Sequence, residues 1–315
     1  MAHAHTHDHH DHHHGHSHHG HSHAPADFGF AFGIGITLNI LFVIVGVVFG
    51  VIGHSMALIA DAGHNLSDVL GLVMAWVASV LVKRAPSQRF TYGLRGTSIL
   101  AALFNAVFLL VATGAIALGA IQRFFEPEPV AGKLVMIVAA IGIFINAGTA
   151  MLFLRGRHDD LNIKGAFLHM AGDAAISFGV VLAGLIILMT GWHWVDPLVS
   201  IGIALVIVAG TWSLLRDSLS MTLQGVPPGI DLPAVRTFLE KCPGVCAIHD
   251  LHVWPMSTTE TALTCHMVIL DGHPGDEALH KISGELRHRF GIPHSTIQVE
   301  ITDQANCALA HEHSV

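Results

Sequence analysis

The sequence predicts a membrane-embedded bundle of six transmembrane helices followed by a small α+β domain. Three observations carry that prediction. Hydrophobic residues make up 52% of the 315 residues and charged residues only 12%, where a soluble domain carries about 25% charged residues. Apolar runs long enough to cross a bilayer recur between polar breakers. After Arg216 the runs shorten and their period changes.

The chain opens on an anomaly. Of its 27 histidines, 13 fall within His3–His23, mixed with Asp, Gly, Ser and Ala. The stretch has neither the basic start nor the apolar centre of a secretory signal, and an expression tag is normally uninterrupted. Residues 1–27 cannot pack a core, so they are expected to form a disordered, cytoplasmic, imidazole-rich arm that gathers metal.

Six spans follow, at Phe28–Ile52, Met56–Val82, Ser98–Ile121, Leu134–Leu154, Ile163–Thr190 and Val195–Leu215. Each covers a hydrocarbon core of about 30 Å at about 1.5 Å per residue. Gly53-His54, Pro86, Pro127/Pro129, Gly156 and Gly191…Pro197 punctuate them. Lys83, Arg84, Arg89 and Arg95 lie in the second connection and Arg155, Arg157 and Lys164 around the fourth, against Arg123 and Lys133 on the other side. The positive-inside rule then puts both termini in the cytoplasm. An integral membrane protein of a bacterial-type inner membrane is expected.

The tail reads as an αββαβ, ferredoxin-like cytoplasmic domain. Asp231–Cys242 has helical spacing at Leu232, Val235, Phe238 and Leu239; Val245–Trp254 and Glu260–Leu270 read as strands about a turn at Ser257-Thr258-Thr259. Asp276–Phe290 reads as a second helix and Ser295–Ile301 as a third strand. The expected domains are therefore 1–27, 28–216, 217–303 and a tail at 304–315. The net charge of −8, with its 15 Lys and Arg spread over loops and tail and no basic face, gives no argument for nucleic acid, and no nucleic-acid partner is expected. Cys242, Cys246, Cys265 and Cys307 show no C-x-x-C spacing and read as free thiols.

Two carboxylates stand where they are costly. Asp68 and Asp173 fall inside spans, each four residues after a histidine, His64 and His169. A carboxylate near the bilayer centre costs roughly 2.5–3.5 kcal/mol, and neither span holds a Lys or Arg beside it. Residues four apart share a helix face, with Cβ atoms about 5–6 Å apart. Two such helices face to face supply two imidazoles and two carboxylates, a donor set suited to tetrahedral Zn²⁺. The loaded site is neutral. Emptied, two carboxylates away from water take up protons, which metal expels on binding; exchange of Zn²⁺ for H⁺ follows. Asp61 reads as a helix-start or interhelical hydrogen-bonding group, and Asn39, Asn105 and Asn146 as interhelical contacts.

These residues resemble a known family. SMALIADAGHNLSD (Ser55–Asp68), FTYGLRG (Phe90–Gly96), FLHMAGD (Phe167–Asp173) and HDLHVW (His249–Trp254) resemble, in order, four motifs of the cation diffusion facilitator transporters, and the likeness covers nearly all of the chain from Phe28 onward. The resemblance implies six-span homodimers that export metal from the cytoplasm in exchange for protons. It carries the transport site onto His64, Asp68, His169 and Asp173, and the histidines favour the zinc branch over the manganese branch. It further implies a metal site in the tail domain, onto His249, His266, His294 and Glu300. Strand alternation puts His249 and His252 on opposite faces.

Two departures accompany the likeness. The second connection, Lys83–Gly96, has neither Asp nor His, so a further loop metal site found in some members is expected to be absent. The histidine-rich arm stands at the N-terminus rather than between spans four and five. An intramembrane metalloprotease is excluded, because neither His64 nor His169 has the Glu and second His of a His-Glu-x-x-His motif. A membrane-anchored metal sensor or buffer has no use for intramembrane carboxylates, and a passive channel favours weak, multi-site binding.

Overall fold

The computed structural model describes residues 28–153, 161–270 and 272–301. The histidine-rich arm, the fourth connection and the last residues lie outside the described residues. Six long helices come first: α1 (Phe28–Ile52), α2 (Met56–Val82), α3 (Thr97–Phe125), α4 (Gly132–Phe153), α5 (Leu161–Thr190) and α6 (Val195–Thr222). Four stretches, Thr97–Phe125, Gly132–Met151, Phe167–Thr190 and Val195–Thr222, are long and apolar enough to cross a membrane, and Ile36–Ile52 is a shorter apolar stretch.

Their packing inverts the soluble pattern. Phe125, Phe144, Met189 and Leu205 are exposed, whereas Asp61, Asn65, Asn146, Asp173, Ser177 and Asp196 are buried. Only an apolar solvent makes that arrangement favourable, and the chain is an integral membrane protein. The α1–α2, α1–α4, α4–α5 and α2–α5 pairs close a four-helix ring, while α3 packs on α6 and α2. Helices α4 and α5 approach so closely that a Cβ on Gly184 would stand 2.9 Å from the Gly132 carbonyl oxygen. In lipid such small-residue contacts replace the hydrophobic drive to associate.

Helix α6 runs past the expected span end at Leu215 to Thr222. Arg216 and Asp217 mark the edge of apolar sequence, but nothing there breaks a helix; the breakers are Gly225 and Pro227-Pro228. The tail domain then follows as α7 (Leu232–Glu240), β1 (Ala247–Pro255), β2 (Thr261–Val268), α8 (Asp276–Phe290) and β3 (His294–Glu300). Asp231 caps α7 by accepting from Ala234 N–H, and Gly291 ends α8 at φ 69°. Strands β1 and β2 pair antiparallel, and β3 joins β2 in parallel after the α8 crossover. Val235, Leu239, Leu263, Met267 and Leu286 bury one sheet face under the two helices.

The tail docks on one end of the helical domain. Arg95 Nη1 lies 2.6 Å from Glu260 Oε2, Thr258 N–H donates to Ser98 Oγ at 3.1 Å, and the Tyr92 ring meets that of His294. The C-terminal ends of α2 and α6 therefore face the tail, and the N-terminal ends of both point away from it.

Candidate metal centres

Helices α2 and α5 bring the four intramembrane residues together. His64 Nε2 lies 3.2 Å from Asp173 Oδ1 on the facing helix and 3.8 Å from Asp68 Oδ2 on its own. His169 Nε2 lies 3.2 Å from Asp68 Oδ2 and 3.7 Å from Asp173 Oδ2. The imidazole centroids are 6.0 Å apart. Each histidine thus meets both carboxylates, its own helix's and the opposite one's. Donor atoms of His64, Asp68 and Asp173 all fall within 4.8 Å of one another, the spacing of groups that share one small cation. No Lys or Arg pairs with either carboxylate among the described residues.

The helices hold these residues in place from their ends. Ser55 caps α2, accepting from Leu58 N–H at 3.1 Å, and its hydroxyl donates to Asp196 Oδ1. Asp196 Oδ2 also accepts from Met56 N–H at 2.7 Å and Ala57 N–H at 3.4 Å. A carboxylate in the first turn of α6 therefore satisfies the free amides at the start of α2. Sequence reasoning missed Asp196; the signal was a fourth aspartate within the expected spans, beside Asp61, Asp68 and Asp173. Asp61 accepts from Ser177 Oγ at 3.0 Å, the expected interhelical hydrogen bond. Asn39 reaches Met170 of α5, and Asn105 packs on Gly71 of α2; Asn146 is buried with neither amide atom hydrogen-bonded.

A second cluster lies in the tail, on the sheet face away from its helices. His266 Nδ1 is 2.8 Å from Glu300 Oε1, and His249 Nε2 is 3.4 Å from Glu300 Oε2. The two imidazole centroids are 5.0 Å apart, and donor atoms of the three residues fall within 4.8 Å of one another. Two imidazoles and a carboxylate are a donor set that zinc accepts. Asp250, which sequence reasoning passed over, adds an oxygen 3.6 Å from His266 Nε2. His294 does not join them: it starts β3, six residues from Glu300, with its ring on Tyr92.

The alternation argument for His249 and His252 fails here. His249 pairs with His266 and His252 with Thr264, so three steps along β1 match two along β2. This bulge, with Asp250 at φ 50°, returns both histidines to one face. His252 remains exposed and bonds Asp250 at 2.9 Å.

Comparison with known proteins agrees with this division of the chain. Residues 33–223 match the cation efflux transmembrane domain, and residues 227–302 match the cytoplasmic domain of cation efflux proteins. The chain belongs to the cation efflux family. Among its relatives in that family is the zinc transporter ZitB of Escherichia coli, 37% identical over 261 residues, 82% of this chain and 83% of the relative. The metal cation efflux system protein CzcD of Cupriavidus metallidurans is 37% identical over 270 residues, 85% of each chain. The cadmium, cobalt and zinc/H(+)-K(+) antiporter of Bacillus subtilis is 35% identical over 264 residues, 82% of this chain and 85% of its own. This cation efflux chain is a membrane transporter of metal cations, not an enzyme.

Proposed function

We propose that the chain exports Zn²⁺ from the cytoplasm in exchange for protons, binding it between His64, Asp68, His169 and Asp173. The convergence of four donor side chains from two helices, with no Lys or Arg paired to either carboxylate among the described residues, carries the proposal. Two carboxylates and two neutral imidazoles cancel the charge of a divalent ion, so the loaded site crosses an apolar interior as a neutral unit. When metal leaves, protons replace it on the same groups, because two bare carboxylates held together away from water are costly. The nitrogen donors favour zinc over manganese, and cadmium and cobalt share that preference in part; the names of the relatives point the same way.

The finer architecture belongs to the same reading. All six helices α1–α6 cross the membrane, and both termini face the cytoplasm, in a bacterial-type inner membrane. The tail, expected from residue 217 but starting only after α6 ends at Thr222, is over about residues 227–302 a ferredoxin-like sandwich lacking its first strand, which accounts for β2 and β3 lying side by side in parallel. The tail holds a further metal ion on His249, His266 and Glu300, and the protein works as a homodimer. Residues 1–27 gather metal at the cytoplasmic face.

Zn²⁺ flux in proteoliposomes under an imposed pH gradient tests the site. Asp68→Ala and Asp173→Ala are each expected to abolish gradient-driven flux. Full activity in both variants overturns the proposed site.

A further inference from the structure

Three rungs link α2 to α5 along their length: Asp68 with His169, His64 with Asp173, and Asp61 with Ser177. Because the helices run antiparallel, each rung lies about one turn, or about 5.4 Å, from the next. The last rung is farthest from the tail domain. Exposure falls steadily along the ladder. The His169 side chain is 43% exposed, Asp68 24%, His64 14% and Asp173 2%, and Asp61 and Ser177 are wholly buried. The donor groups are thus open toward the tail-domain end and shut at the third rung.

Two other helices complete that rung. Phe42 of α1 is 1% exposed and covers Gly142 of α4, where an added Cβ would stand 2.5 Å from Phe42 Cζ and 3.1 Å from Ser177 Oγ. Four helices therefore meet in one layer, which only a glycine at 142 permits. Its polar tie between α2 and α5 is slight. Ser177 donates a single hydrogen bond to Asp61 Oδ2, while Asp61 Oδ1 is buried with no hydrogen-bond partner. A half-satisfied buried carboxylate is a poor way to stabilise a fold. It suits a contact that is made and broken.

We propose that Asp61 and Ser177 form a latch that closes the transport site on the side away from the tail domain, and that cargo leaves on that side when the latch opens. The inference rests on the transport-site reading given above. Asp61 and Ser177 are positioning residues: they bring α2 and α5 together beyond the metal ligands without joining them. Losing one buried hydrogen bond shifts a two-state balance by about tenfold, enough to be read in the distribution of open states.

The test uses the full chain in proteoliposomes, with Ser177→Cys and a membrane-impermeant thiol reagent applied opposite the tail domain. Exposed Cys246 in the tail counts molecules of the reverse orientation. The thiol introduced by Ser177→Cys is expected to be shielded at rest and to react from the far side during Zn²⁺ transport into an acidic far compartment. Equal labelling with and without transport, or labelling at rest from the tail side, overturns the latch. Ser177→Ala gives a second readout. It is expected to keep equilibrium Zn²⁺ affinity within about twofold while raising exchange of labelled zinc from the far side by about tenfold; affinity and exchange falling together would mark a merely structural contact and overturn the proposal. Flux lost in Asp173→Ala beside an unresponsive Ser177→Cys thiol sinks the latch alone. Full flux in Asp173→Ala sinks the site reading and the latch with it.

Discussion

Asp250 and Cys265 show how differently two neighbouring groups in the tail are used. Cys265 is fully buried in the sheet core, and that burial pushes its thiol up to about 12. Folding therefore holds the proton: this contribution to stability is complete below the ordinary thiol value of 9 and is lost as pH climbs from 9 toward 12. Alkylation of folded protein is expected to modify exposed Cys246 while Cys265 stays slow up to pH ~11, with peptide mapping as the check. On the opposite face, His266 holds Glu300 on one ring nitrogen and approaches Asp250 with the other. His266→Ala is expected to remove one bound Zn²⁺ per protomer from the full chain, measured by metal content after gel filtration, and to leave the intramembrane ion. That His64, Asp68, His169 and Asp173 converge was readable in the sequence, because a His and an Asp four apart in an apolar run share one helix face and need polar partners. Asp250 was not, because its part depends on a bulge that no alternation pattern announces.

Among the helices, α2 is the one most constrained at its ends. Its first amides and its cap converge on the buried Asp196 carboxylate of α6. Asp196→Ala leaves Met56 N–H and the Ser55 hydroxyl without their acceptor, and is expected to cost about 1–3 kcal/mol, seen as a lower unfolding temperature in detergent. Glu260→Ala breaks only the half-exposed pair with Arg95 and is expected to change stability by about 1 kcal/mol or less. Apolar runs and helical spacing located all six long helices and both tail helices, with every end within about four residues except that of α6. Their ends drifted where polarity and helix-breaking part company: α6 continues through Arg216 and Asp217 because charge marks a membrane edge, not a helix end. The α2–α6 tie was invisible for another reason, since it joins residues 140 positions apart.

The molecule as a whole is a helical domain whose four intramembrane donors are more exposed toward the end on which the tail, with its His249–His266–Glu300 cluster, docks. Arg95, Ser98 and Tyr92 grip the tail through Glu260, Thr258 and His294, so a change of tail geometry reaches the start of α3 directly. In the proposed function one four-residue site carries Zn²⁺ one way and protons the other. Its most direct test follows both ions at once in proteoliposomes, with a zinc indicator and a pH indicator trapped in the lumen. Zn²⁺ rising in the lumen is expected to be matched by loss of luminal protons, in a fixed ratio, and Asp173→Ala is expected to abolish both signals. Zinc uptake with no proton movement in wild type, or paired movement that survives Asp173→Ala, would contradict it.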